Sequence, residues 1–194
     1  MAILPKDAAL ILVDVQMAFV EWERAGLRRN NPQAVDNIAR LLGAFRQNGR
    51  SVFHIRHAST ESDSALRPDR SGYQPIEQAR DLDGEPVIVK QVNSSFIGTD
   101  LEQRLRDGGH NTVVIAGITT NHCVETTTRM AGNLGFDARL VSDACYTFDR
   151  VGLDGLVRSA EAIHDMTLTN LNGEFATIET TDTVLAALRH SAAA

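Results

Sequence analysis

Short apolar runs recur along this chain, and segments of helical periodicity separate them. Ala8 to Val13 reads AALILV and Thr112 to Ala116 reads TVVIA, with no alternation of polar and apolar positions. A strand of that kind has no face to offer to water, so it must be covered on both sides. Ser51 to Ile55, Pro86 to Val89, Phe136 to Ser142 and Glu174 to Ile178 complete six such runs. Between the first two, Asn31-Pro32 reads as a helix N-cap followed by proline at the first helical position. Val35, Ile38, Leu41, Leu42 and Phe45 then mark one helix face, and Asn48-Gly49 closes it. Thr99-Asp100-Leu101-Glu102 has capping-box spacing, and Gly108-Gly109 ends that helix. A helix from about His122 to Asn133 is stopped by Gly135, and two more fall near Gly152 to His164 and Asp182 to Arg189. Strands alternating with helices predict an α/β fold: a three-layer α/β/α sandwich on a six-stranded, mainly parallel, Rossmann-like sheet.

At 194 residues the chain reads as one domain, 1–194. A net charge of −6 argues against a general nucleic-acid or anionic-membrane surface. No apolar run approaches the ~20 residues of a membrane span. Met1 to Asp7 has no basic start and reads as no signal peptide. The two cysteines, Cys123 and Cys145, fit no zinc spacing, and two free thiols in a cytoplasmic protein are the expectation. Ala58 to Glu85, rich in Ser, Asp, Arg and Pro, is long for a connection and reads as a functional or mobile loop.

Three reactive side chains fall just past strands. Asp14 follows the first, Lys90 the third and Cys123 the fourth. In a parallel sheet such positions share the edge where ligands bind. Cys123 sits where a helix starts, among free N–H groups and at the positive end of a helix dipole, a setting expected to lower its pKa. Each residue alone has a plainer reading: a buried filler for Cys123, a turn cap for Asp14, a strand-end ammonium in water for Lys90. Three such placements on one edge fit acyl transfer better. The carboxylate takes the thiol proton and the ammonium keeps the carboxylate charged. Strand order decides the geometry. An order 2-1-3-4-5 makes the three strands neighbours, whereas 3-2-1-4-5-6 requires Lys90 to reach across strand ends.

With those residues in view, the chain resembles the isochorismatase-like superfamily of cysteine hydrolases, which includes nicotinamidases and N-carbamoylsarcosine amidases. The resemblance rests on Leu12-Val13-Asp14-Val15-Gln16, Val89-Lys90 and Gly117-Ile118-Thr119-Thr120-Asn121-His122-Cys123-Val124. Further support comes from Thr126-Thr127-Thr128-Arg129-Met130-Ala131, Gly135-Phe136 and Val141-Ser142-Asp143-Ala144. It implies an Asp14–Lys90–Cys123 triad, a thioester acyl-enzyme and a cis peptide at Ile118–Thr119, with the Thr119 and Cys123 N–H groups as oxyanion hole. It also implies a homodimer or homotetramer, a small amide-type substrate and no cofactor. Cys123 argues against the vinyl-ether hydrolysis of isochorismatase proper, which usually lacks that cysteine. The Asp-x-His element of nicotinamidase metal sites is absent around His54 and His57, and an i, i+3 spacing on a strand points the two rings to opposite faces. No metal site is expected.

Expected pocket residues are Gln16, Phe19, Trp22, His57, Asn93, Phe96, Thr120, His122 and Tyr146. Arg24, Arg28 and Arg29 read as a solvated face or a contact with the 58–85 loop. Two other readings compete: a peroxidatic Cys123 resolved by Cys145, and a non-catalytic binding protein on this scaffold. A dinucleotide site is weakest, because no G-x-G-x-x-G follows the first strand.

Overall fold

The first apolar run becomes β1 (Ala9–Val13), buried at every position. Leu10 and Leu12 face one core cluster, and Ala9, Ile11 and Val13 face another. That period of two places β1 between two helical layers. The structure, a computed structural model, describes residues 4–192; Met1, Ala2 and Ile3 of the N-terminal segment lie outside them. After β1 come α1 (Met17–Arg24), α2 (Ala34–Gln47), β2 (Val52–His57), β3 (Val87–Lys90), α3 (Leu101–Asp107), β4 (Thr112–Ile118) and α4 (Glu125–Asn133). The chain continues through β5 (Asp137–Tyr146), a hairpin of β6 (Arg150–Val151) and β7 (Val157–Arg158), α5 (Ala160–Leu171), β8 (Thr177–Glu179) and α6 (Thr181–Ala192).

The main sheet runs β3-β2-β1-β4-β5-β8, and every neighbouring pair is parallel. This is the second of the two anticipated orders: β2 lies between β1 and β3. One layer packs α2 and α6 on the sheet, with Ile38, Leu41, Leu42, Phe45, Val184 and Leu188 in the core. The other takes Leu101 and Leu105 of α3, Ala131 of α4 and Leu171 of α5. Truncating one of these leucines to alanine carries the usual cost of about 3 kcal/mol. Among the described residues no helix is long and apolar enough to cross a membrane.

Several boundaries differ from the sequence expectation, each for a local reason. Asn31 does not cap α2. It adopts φ 45°, and its side-chain amide donates to the Ser142 and Cys145 carbonyls at 3.1 and 2.7 Å, so a tertiary contact displaces the cap. The segment expected as a helix from Gly152 is instead the β6–β7 hairpin; α5 starts at Ala160, where the Ser159 hydroxyl accepts from Ala162 N–H. β5 extends four residues past Ser142, to Tyr146. The 58–85 loop is anchored. Its Gln74 carbonyl accepts from Met17 N–H and its Ile76 N–H donates to the Val15 carbonyl, at 2.8 and 2.9 Å. Arg28 pairs with Asp149 and Glu161, and Arg29 with Glu23, so neither arginine pairs with that loop.

β4 approaches β1 so closely at Val13↔Gly117 that no side chain fits. Gly117 has φ 139°, and a Cβ there would lie 2.0 Å from the Val13 carbonyl oxygen. Gly43, inside α2, has open space at the same position. Gly117→Ala is expected to cost about 3 kcal/mol or more, or to prevent folding. Gly43→Ala is expected to stabilise by about 0.5–1 kcal/mol through helix propensity. Urea unfolding of both variants checks this; a Gly117→Ala midpoint at or above that of Gly43→Ala contradicts the packing argument.

Candidate active site

β1 ends in a turn that aims its last side chain sideways. Asp14 adopts φ 51°, a left-handed conformation that aspartate tolerates better than larger residues. Its N–H donates to the Ile55 carbonyl of β2 at 3.0 Å. Lys90, the last residue of β3, sits beside His57, the last of β2. From there its Nζ crosses the end of β2 and donates to Asp14 Oδ2 at 2.6 Å. The same Nζ lies 3.2 Å from His57 Nδ1, which therefore accepts, because an ammonium has no lone pair. The Asp14 and Lys90 side chains are at most 1% exposed.

Asp14 Oδ1 is also buried, yet among the described residues it has no hydrogen-bond partner. An unsatisfied buried carboxylate oxygen is costly, and one in a native site calls for a reason. Cys123 supplies it. Its sulfur, a carboxylate oxygen of Asp14 and a ring nitrogen of His57 all lie within 4.8 Å of one another. Cys123 belongs to a wide turn over Thr120–Val124 whose hydrogen bonds have π-helical spacing, leading into α4. The Ile118–Thr119 peptide before it is cis.

The electrostatics reverse one expectation. Burial, then the negative charge of Asp14, push the Cys123 thiol up to about 12, against the opposing pull of Lys90. Desolvation and a neighbouring carboxylate outweigh the helix start, so the resting group is a thiol. Burial likewise raises the Asp14 carboxyl above the usual carboxylate range, and Lys90 limits the rise. A carboxylate so placed holds a proton more readily than one in water. Burial and Lys90 lower His57, which stays neutral at pH 7.

Around these groups opens a cavity of about 460 Å³, a size suited to a small molecule. Asp14, Cys123, Thr119, His57, His122 and Asn93 line its reactive end. Phe19, Trp22 and Phe148 form an aromatic wall. Trp22 meets Phe19 edge-on at 5.0 Å, and Phe148 stacks on Phe19 at 6.5 Å. Leu27 and Leu66 add to that wall, the latter from the 58–85 loop.

Four expected pocket residues lie elsewhere. Gln16 is buried and serves the backbone: its amide donates to the His57 and Tyr73 carbonyls and accepts from His57 N–H. A buried amide must satisfy all its polar atoms, and here the chain ends of β2 and the loop do so. Phe96 stacks on Phe136 at 5.9 Å. Thr120 is bound through its hydroxyl to His164 Nδ1 at 2.8 Å. Tyr146 lies under Phe148 and the Arg29 guanidinium. Cys145 is fully buried in the core, and burial pushes its thiol up to about 12, which suits a packing role and not a resolving thiol. Thr147, Phe148, Asp149, Arg150 and Val151 line the cavity without having been anticipated. They follow β5 on the ligand-binding edge, and the available signal was that same edge rule, applied at Tyr146 instead of Ser142.

His54 pairs with Glu85 at 2.8 Å, and Arg46 holds the same carboxylate, so it belongs to the packing of β2. Asp14, His57 and Cys123 do present three metal-type donors within 4.8 Å. The Lys90 ammonium already binds two of them, and a divalent ion there would face a fixed positive charge. The donor set is poorly matched to a metal.

The fold is a three-layer α/β/α sandwich in which Asp14, Lys90 and Cys123 gather beside a cavity at the carboxyl edge of the parallel sheet. The Isochorismatase domain profile matches residues 8–183. The isochorismatase family protein YrdC of Bacillus subtilis, itself uncharacterized, is 46% identical over 177 residues, 91% of this chain and 94% of its own length. A structure assigned to the isochorismatase family of hydrolases from Chromobacterium violaceum superposes with a TM-score of 0.93 at 42% identity, covering 97% of both chains. The ureidoacrylate amidohydrolase RutB of Variovorax paradoxus is 30% identical over 179 residues, 75% of this chain and 71% of its own. The chain belongs to the isochorismatase family of hydrolases.

The elevated thiol gives a direct test. A free cysteine reaches half its limiting alkylation rate near pH 8.5 and levels off by about pH 10. Alkylation of Cys123 by iodoacetamide is expected to keep rising through pH 10, because thiolate is scarce until the pH nears 12. A plateau near pH 7, followed by peptide mass spectrometry at Cys123, refutes a neutral resting thiol.

Proposed function

We propose that this hydrolase cleaves a C–N bond of a small amide, imide or ureide through a thioester on Cys123. The observation that carries the reading is the orphaned, buried Oδ1 of Asp14 beside a protonated thiol. Asp14 takes the Cys123 proton as sulfur attacks the carbonyl carbon. The oxyanion is held by the N–H groups of Thr119 and Cys123, two residues that line the cavity; one such donor is worth about 3 kcal/mol in the transition state. Collapse of the tetrahedral adduct breaks the C–N bond, and Asp14 passes its proton to the leaving nitrogen. Water then gives a proton to Asp14 and attacks the thioester carbonyl. The departing thiolate recovers that proton, which restores the resting enzyme. Lys90 pairs with Asp14 and favours its carboxylate form, the form that can take a proton. The raised carboxyl pKa suits a group that must carry a proton between steps. The amidohydrolase relative supports C–N cleavage over vinyl-ether hydrolysis, and the buried Cys145 counts against the peroxidatic reading.

Intact-mass spectrometry across a panel of amides and ureides, after rapid acid quench, should reveal an acyl adduct on Cys123. Cys123→Ser and Asp14→Asn should each lower kcat/KM by about 10³-fold or more while retaining native circular dichroism. Undiminished turnover by Cys123→Ser refutes the covalent role. Lys90→Met should abolish turnover and also destabilise the fold by about 3–5 kcal/mol, since it strands a buried carboxylate. An unchanged denaturation midpoint contradicts the importance assigned to the pair.

A further inference from the structure

Arg150 is the one lysine or arginine among the residues lining the cavity. Among the described residues it forms no ion pair. Two acids of the same segment have other partners. Asp149 Oδ1 accepts from Arg28 at 2.8 Å and from Ala160 N–H at 2.7 Å. Asp154 pairs with Arg158, which sits directly across the hairpin from Arg150. Two arginines face each other there, and only one has a carboxylate. Like charges opposed on paired strands are destabilising, in a chain whose net charge is −6.

The guanidinium is also aimed. Its Nη1 lies 2.9 Å from His122 Nε2. Arginine only donates, so this ring nitrogen accepts and the imidazole proton sits on Nδ1, 3.3 Å from the Thr119 hydroxyl. Burial and the Arg150 charge lower His122, which keeps the ring neutral and available as acceptor. His122 thus bridges two ends of the cavity. On one side are Thr119 and, one residue along, Cys123; on the other is the Arg150 guanidinium. At the reactive end the Asp14 charge already has its ammonium. Arg150 is the cation that the cavity lining offers to a ligand, while the neighbouring Asp149 is held by Arg28.

Resting on the acyl-transfer reading above, we infer that the substrate carries a carboxylate or equivalent anionic group, bound by Arg150 and oriented through His122, with its reacting carbonyl at Cys123. A planar guanidinium offers a fork of donors that matches a carboxylate. The aromatic wall of Phe19, Trp22 and Phe148 would hold the apolar body between the two ends. Arg150 is then a specificity residue, and a neutral amide of the same shape is a poor ligand.

The test uses unreactive pairs graded in size, from acetate and ethanol to 3-phenylpropionate and 3-phenylpropanol, at constant ionic strength. Affinity is read by calorimetry on Cys123→Ser and by protection of wild-type Cys123 from iodoacetamide. At least one carboxylate should bind about tenfold or more tightly than its alcohol. Arg150→Gln should erase that preference, and Arg150→Lys should restore part of it. The inference is overturned if no carboxylate exceeds its alcohol, or if Arg150→Gln leaves the preference intact. An Arg150-dependent preference without any acyl adduct on Cys123 sinks the thioester reading alone. An adduct formed equally from acids and their methyl esters sinks the anion subsite alone.

Discussion

A carboxylate and an ammonium, both out of water and 2.6 Å apart, set the terms for everything around them. Removing either charge from solvent costs several kcal/mol, and only close, well-oriented contact offsets that cost. The fold is built to hold that contact across an intervening strand. Asp14 accepts a left-handed backbone to turn toward β2, while Lys90 spans the end of β2 from the far side. Gln16 ties down the backbone of His57 between them. Loosening any of these supports would separate the charges and let water in.

The pair in turn defines the thiol. A cysteine at a helix start invites the picture of a preformed thiolate, but that picture counts only the helix. Here burial and the charge of Asp14 outweigh it, so the resting group is a thiol. Lys90 holds one oxygen of Asp14, and the other has no hydrogen-bond partner among the described residues. The acyl transfer proposed above draws on that combination of a neutral thiol, a buried carboxyl group and a paired lysine. The second pole of the cavity lies at the hairpin, where Arg150 and His122 give the mouth a polarity of its own.

The layered architecture was legible because β1 and β4 are apolar at consecutive positions, and only helices on both faces satisfy such strands. Asp14, Lys90 and Cys123 were legible because the end of a parallel strand is a fixed address on one edge. The pocket wall was much less so. Gln16, Phe96, Thr120 and Tyr146 are near the site in sequence, but each is claimed by the core or the backbone. Phe148 and Arg150 escaped notice because β5 runs on to Tyr146, through the polar Ser142 and Asp143 that read as its end. Those two are tolerated in the strand because each finds a partner, the Ser142 hydroxyl donating to the Glu179 carbonyl and Asp143 accepting from Thr181. No single-strand pattern contains that information.

The sequence by itself determined the class of fold, the edge on which the chemistry gathers and the residue types present there. Those follow from burial and strand periodicity, which are properties of contiguous segments. Only the tertiary structure decided that Lys90 crosses β2, that the thiol rests protonated, and that Arg150 faces the cavity without an acid of its own. Each of these depends on distances between residues remote in the chain, and electrostatic energies in a dry site are set by such distances and not by order along the backbone.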